Sequence, residues 1–535
     1  MKKTFKIIAW VVLILLVLLF GGQWWLGNKI RKTIEEKVYQ ETQGNTRIQI
    51  KTVQVRLIGR TVRLKDIRIT SDSTRPAPAD HPVKYVNAYI RNLEIKGIHF
   101  KKQDSVLHIR ARKFGIDISS LSLIAQHTGS SDIPGKKNGF SDKRKKKLMQ
   151  LELKRTDIRL GDIGYENIQD QDTVNYILHD FYTRVDSLSL HSVPGSATPF
   201  YSCSDIRLSF SSFRNFFAQK SQLLAVDTFS LQGKEGLVSA ADIRLLPQYS
   251  KEIFALKAPG HTDWTEIQTG KIACYRFDMQ SLLKEQLLRI DSVSLQKATI
   301  RSFKNRQIAQ KPRIKKLFYE SVQQFPYPLA IRSIRLHHID VEYQELAEHA
   351  DFPGTVTFEG LSGTFSGLTN IPKARQPYFT LTAQGKLMDQ GLLEATFHLP
   401  VDSTENHFRI EGRLGSMEMP SLNPAIVPLA NIKITSGKIN EMTFRITGND
   451  RKAQVDMVLL YENLKIRIVK EKDGHFKTRS FLSTLANGLI INNNNPDRNR
   501  SPRQGEGSAE RDLYRSQFNY LWKTLLAGLK SSVGL

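Results

Sequence analysis

Val185-Asp186-Ser187-Leu188-Ser189-Leu190 decides how this chain is read, because the same phrase returns as Val226-Asp227-Thr228-Phe229-Ser230-Leu231 and Ile290-Asp291-Ser292-Val293-Ser294-Leu295. Apolar residues occupy the first, fourth and sixth places. Alternation of period two marks a half-buried strand, but the extra residue after the first apolar place shifts the apolar side to the other parity. A β-bulge absorbs that residue, keeps both apolar groups on one face and bends the strand. Asp and Ser at the slip are the residues that bond locally freed backbone. Looser copies begin at Leu64, Ile95 and Ile331, so the repeat is degenerate and has no fixed period.

Plain alternation surrounds these phrases. Ile48 and Ile50, Val53, Val55 and Leu57, then Val62 and Leu64 follow Arg47, and late in the chain Leu393 to Leu399, Met442 to Ile446 and Leu464 to Ile468 keep the same period. Strands are therefore expected over nearly the whole of residues 46–491. Between Arg47 and Asn492 no strong three-four spacing supplies a helical layer, so the apolar faces must meet each other or something else. Two outcomes satisfy the pattern. One is a solid core, as in a sandwich; the other is a trough lined with aliphatic side chains, in which acyl tails can lie. In the second case Ile48, Ile50, Val53, Val55, Leu188, Leu190, Phe229, Leu231, Val293 and Leu295 are the residues expected to line it.

The N-terminus favours a membrane setting. Ile7 to Phe20 is uninterruptedly apolar, and the stretch to Leu26 contains one strongly polar residue, Gln23. Ile7, Trp10, Leu15, Phe20, Trp24, Trp25 and Leu26 mark a single span over 1–27, since about 20 residues reach ~30 Å and Trp24-Trp25 suits the interface. Gly21-Gly22-Gln23-Trp24-Trp25 offers no signal-peptidase pattern. Lys2, Lys3 and Lys6 before the span nearly balance Lys29, Arg31 and Lys32 after it, so charge alone does not orient it. Residues 28–45 follow as a short amphipathic helix with Ile30, Ile34 and Val38 at helical spacing.

The chain has 535 residues, 40% hydrophobic and 24% charged, with a net charge of +26 from 78 Lys+Arg against 52 Asp+Glu. That surplus suits anionic partners such as phospholipid headgroups, and the scattered aromatics do not form a nucleic-acid platform. Cys203 and Cys274 exclude a multi-disulfide or multi-cysteine zinc fold. No nucleophile elbow, phosphate loop, dinucleotide fingerprint or zinc helix occurs, and His337-His338 point to opposite strand faces, so neither an enzyme nor a cofactor or metal site is expected. Loops are expected near 71–82, 126–147 with Lys143-Arg144-Lys145-Lys146-Lys147, and 492–511. Tyr514, Phe518, Leu521, Leu525 and Leu529 mark a closing helix in 512–535 that caps the last strands.

Both ends resemble a known family. Leu414 to Pro424, Pro428-Leu429-Ala430, Ile432 to Ile439, Phe444 to Gly448 and Leu460 to Ile466, with the closing Ser516 to Lys523, are similar to the C-terminal region of AsmA-like envelope proteins, here 351–491 and beyond. The anchor, short helix and first strands match that layout too. The resemblance implies an elongated, curved antiparallel β-groove of the bridge-like lipid-transfer type, one inner-membrane anchor and a body in the periplasm. It further implies phospholipid handling for outer-membrane homeostasis, with envelope proteins as further partners. An envelope scaffold with a filled β core is the alternative.

Overall fold

The computed structural model describes residues 22–40, 42, 44–71, 83–103, 106–127, 149–169, 172–191, 200–217, 221–257, 263–308, 314–371, 377–402, 406–472, 475–478, 492–497 and 500–534. The protein is mainly β and divides into two compact units, Met1–Val238 and Ser239–Leu535. The expected span over 1–27 lies outside the described residues up to residue 21, as do the Lys-rich run and most of the loops near 71–82 and 126–147. Among the described residues no helix is long and apolar enough to cross a membrane.

The first unit opens with a helix, α1, over 22–40. Its strands are β1 (Thr46–Arg56), β2 (Thr61–Ser71), β3 (Val83–Lys96), β4 (His99–Gln103), β5 (Val106–Ala111), β6 (Lys113–His127), β7 (Met149–Gln169), β8 (Asp172–His191), β9 (Phe200–Ser202), β10 (Asp205–Phe210), β11 (Ser212–Phe217) and β12 (Gln222–Gln232). β1 pairs β2, β2 pairs β3 and β3 pairs β6, all antiparallel. β5 and β6 both run parallel to β7, which is antiparallel to β8; β10 and β11 then bridge β8 and β12. The ladder is thus mostly antiparallel, as expected, with a parallel join at β7 that the sequence did not announce. Parallel neighbours need a long crossover, and the connection between β6 and β7 provides one in sequence length.

Backbone slips sit where the six-residue phrase puts them, but on these ladders both partner strands slip together with the register unchanged, which corrects the one-strand bulge expected there. Asp186 pairs with Arg155 and Leu188 with Leu153, while Ser187 (φ 54°) and Lys154 opposite it are both passed over, so Val185, Leu188 and Leu190 share one face. The skipped positions also line up from strand to strand. Asp66 (φ 53°) is passed over on both its ladders, Ser119 lies opposite Gly161, and Gly161 lies opposite Asp180 (φ 49°). Arg91 donates to Ser119 Oγ at 2.7 Å and Ser211 Oγ to Asp180 Oδ2 at 2.8 Å along the same row. Gly161 is required there, since a Cβ would collide with the Ser119 carbonyl oxygen. Neighbouring strands therefore bend at one level, with polar residues on the outer side of the crease.

The second unit takes most of β13 (Leu237–Pro247), then β14 (Asp263–Phe277), β15 (Leu288–Asn305), β16 (Leu329–Leu346), β17 (Gly354–Thr369), β18 (Tyr378–Leu387), β19 (Gly391–Pro400), β20 (Phe408–Leu414), β21 (Met417–Glu418), β22 (Ile432–Gly448), β23 (Lys452–Lys472), β24 (His475–Thr478) and β25 (Gln504–Glu510). β15 and β16 are parallel, joined by a crossover that carries the helix Phe318–Gln323. Creases recur: Arg276 (φ 52°), Asp291, Arg332 and Gly367 (φ 70°) form one row, and Gly270, Lys297 and His338 (the last two at φ 57°) another. Arg332 donates to Asp291 Oδ2 at 2.9 Å, so the Asp of the third phrase is held by the residue opposite it in the row.

The far end of this unit is filled. Ile410, Ile446, Val455, Met457, Leu459 and Met442 face inward from β20, β22 and β23 and are covered by Leu317, Tyr319, Val322 and Tyr520 in one buried cluster. The C-terminal helix, Gln517–Val533, lies against β23 and β25, as the capping reading expects. Residues 492–511, expected to be a loop throughout, instead include β25 paired to β23. Their small residues seat the helix: a Cβ at Gly507 would lie 2.6 Å from the Ala527 carbonyl carbon and 2.7 Å from Gly528 N. Because those neighbours are backbone, Gly507→Val is expected to cost about 2–3 kcal/mol. Faster hydrogen exchange across residues 517–533 would report the undocked helix; unchanged exchange would contradict the close approach.

Candidate functional site

Alternation along β5 to β12 produces a face of a different kind. Leu151 and Leu190, Leu153 and Leu188, Ile158 and Thr183, Ile163 and Leu178, and Tyr165 and Tyr176 are cross-strand partners on it. The row continues through Leu208 with Leu231, Phe210 with Phe229 and Phe213 with Val226. Nearly all are half-buried, and among the described residues from 99 to 232 the buried hydrophobic positions are Ala111, Ala125, Leu153 and Ala225. Apart from Leu153, these buried positions are alanines, while the other large side chains of this face stay partly exposed. An aromatic strip runs along this face: Tyr165 to Tyr176 at 5.7 Å, Tyr176 to Phe213 at 6.2 Å, Phe213 to Phe210 at 6.2 Å and Phe210 stacked on Phe229 at 5.2 Å.

The opposite face of the same strands is a lattice of charges. Arg155 donates to Asp157 at 2.8 Å, and Arg184 to Asp186 and Arg207 to Asp205 at 3.2 Å each. Burial raises the Asp157 carboxyl, yet the hydrogen bonds from Arg155 and Tyr182 outweigh it and hold it below the ordinary carboxylate range. Water suits this side, whereas the other side offers aliphatic and aromatic carbon. The two faces therefore differ sharply in polarity.

The ten residues expected to line a trough fall into three settings. Leu188, Leu190, Phe229 and Leu231 lie on the open face of the first unit, beside the aromatic strip. Val293 and Leu295 lie half-buried on β15 in the second unit, between Cys274 and Ile334 and between Ile272 and Leu336. Ile48, Ile50 and Val53 on β1 are instead packed with Ile34 of α1 in a buried cluster, and Val55 is buried on the same strand. The amphipathic helix lies back against β1: Ile50 N donates to Glu35 at 2.9 Å, which satisfies an edge-strand amide. Tyr165, Tyr176, Phe210 and Phe213 belong to the same face beyond those ten, and carrying period two through each slip reaches them.

Among the described residues no group of three or more His, Cys, Asp or Glu is placed to hold a metal ion. Cys203 and Cys274 are free, and burial pushes both thiols up from their ordinary range. A cleft of about 540 Å³ lined by Glu411, Arg413, Arg445 and Asp456 lies over β19 to β25, with Arg413 and Arg445 each bonded to a carboxylate. A scan of protein-family models and a search of curated proteins gave no match to this chain.

Proposed function

We propose that this is a membrane-anchored lipid-binding or lipid-transfer protein, anchored by residues 1–27 in the inner membrane with its β body in the periplasm. Acyl chains lie along the open apolar face, and phospholipid is carried for outer-membrane homeostasis. One observation supports this above the rest: the large apolar side chains of β5 to β12 keep one side uncovered while the reverse face is latticed with charge. A chain of about sixteen carbons gains roughly 12 kcal/mol on leaving water, at ~0.8 kcal/mol per methylene. Moving it from bilayer to apolar face therefore nearly conserves that gain, and a small bias suffices to move it either way. Headgroups remain in water at the open side.

The scaffold reading is favoured by the filled cluster between Leu317 and Tyr520, which leaves hydrocarbon no room in that part of the second unit. Photocrosslinking separates the two. With a crosslinker at Leu190, Phe229 or Leu295 in the full chain in native membranes, phospholipid adducts are expected; at Ile446, which is 1% exposed, none are. Absence of adducts at all of the first three would leave the scaffold. Native mass spectrometry of detergent-free protein should show co-purifying phospholipid.

A further inference from the structure

The structure assigns a bilayer-interface docking edge to one end of β1 to β4. Three segments meet there. α1 runs antiparallel to β1: Thr46 N donates to Thr42 Oγ1 at 3.2 Å, Glu35 accepts from Ile50, and a Cβ on Gly27 would lie 2.8 Å from the Val53 oxygen. Continuing that register at ~1.5 Å per helical residue and ~3.3 Å per strand residue puts Trp24 and Trp25 level with the end of β1. The β1–β2 turn at that end presents Leu57 and Ile58, and Ile98 N donates to Arg60 O at 3.1 Å, which brings β4 and its Phe100 alongside.

These are the residues a folded β protein normally hides. Ile58 is 91% exposed, Trp24 72%, Phe100 69%, Trp25 59% and Leu57 54%. Cations surround them: Lys29, Arg31 and Lys32 on α1, Arg56 and Arg60 at the turn, Lys101 and Lys102 on β4. No Asp or Glu occurs in 22–34, 56–60 or 99–103. Lys29 Nζ sits 5.1 Å from the Trp25 ring centroid, the pairing of aromatic body and snorkelling cation found at membrane interfaces. Apolar tips set among uncompensated cations complement a sheet of anionic headgroups over hydrocarbon, and not a soluble acidic partner. In sequence three residues separate the apolar run Ile7 to Phe20 from Trp24, so a bilayer holding that run would be reached from the end of α1 that carries Trp24 and Trp25. Docking would seat the beginning of the sheet on the lipid surface instead of leaving it swinging on a single helix.

The proposal rests on the membrane placement above, but not on the lipid path. Its test uses the full chain with Cys203→Ser and Cys274→Ser, carrying a polarity-sensitive fluorophore on Ile58→Cys, Phe100→Cys or, as an outer-face control, Arg214→Cys. In nanodiscs of phosphatidylcholine and phosphatidylglycerol, positions 58 and 100 should shift to the blue and lose intensity to shallow spin-labelled lipid, while 214 does neither. Water-like, unquenched emission at 58 and 100 would overturn the docking edge. A blue shift without quenching would do the same, by showing protein contact in place of lipid. Quenching at 58 and 100 without adducts at Leu190, Phe229 and Leu295 would remove the lipid path and leave the docking edge. Adducts there without quenching would do the reverse.

Discussion

Val455→Asp is expected to unfold the end of the second unit, at a cost of about 4–5 kcal/mol, while Leu178→Asp in the first unit costs about 1 kcal/mol or less. The two strands carry the same alternation, so sequence pattern alone assigns them equal sensitivity. They differ in what lies above them. Val455 is 1% exposed, pairs with Ile446, and has the C-terminal helix over it at Gly528. A carboxylate there loses its water and finds no partner. Leu178 pairs with Ile163 and Phe213 on a face that is half-exposed, so a carboxylate replacing it reaches solvent. Hydrogen exchange followed through denaturant, read separately in 452–472 and 172–191, checks the contrast. Equal losses in both segments would mean that the face of β5 to β12 is covered after all. Under the lipid-binding reading Leu178→Asp also carries a functional penalty that stability does not report, namely loss of phospholipid adducts at Phe229.

How much of this was legible in the sequence depends on whether the deciding contact was local. The slip in Val185 to Leu190 was legible because the extra residue between alternating pairs stands in one strand's sequence, whereas its match by a slip at Lys154 on the partner strand, which keeps the register, was not. The alignment of slips into rows was not legible either, since Asp66, Ser119, Gly161 and Asp180 are brought level only by register across strands. Nor were the parallel joins, because strand patterns do not state which neighbour a strand takes. Residues 504–510 read as loop because Gly505, Gly507 and Ser508 are loop-like in composition, yet the same smallness lets a helix approach β25. The stripe Ile30, Ile34, Val38 was visible, but its docking onto β1 was not. That docking packs Ile48, Ile50 and Val53 against Ile34 and leaves the open apolar face to the later phrases.

Arg511→Met should destabilise the second unit by about 3–5 kcal/mol, a loss out of proportion to one side chain, because it strands a charge. The Arg511 side chain is 3% exposed and Glu320 19%. Its guanidinium donates to both carboxylate oxygens of Glu320 at 3.0 Å, to the Lys315 carbonyl at 2.7 Å and to the Asp450 carbonyl at 3.2 Å. One residue after β25 thereby ties the crossover helix to the turn between β22 and β23, around the filled cluster. Adding Glu320→Leu to Arg511→Met removes the stranded carboxylate and should recover much of the loss; no recovery would locate the cost in the two carbonyls. The sign of the pH dependence follows from Glu320. Burial raises its carboxyl, but the Arg511 hydrogen bonds, the Leu317 N–H and the arginine charge outweigh that, so the folded value lies below the ordinary one. Its contribution is therefore complete above the unfolded value, about 4.3, and disappears as pH falls through the lower folded value. Acid unfolding of residues 517–533, followed by hydrogen exchange, should steepen in that window in the native chain. The double variant, which has no carboxylate to protonate at this position, should lack that part of the slope.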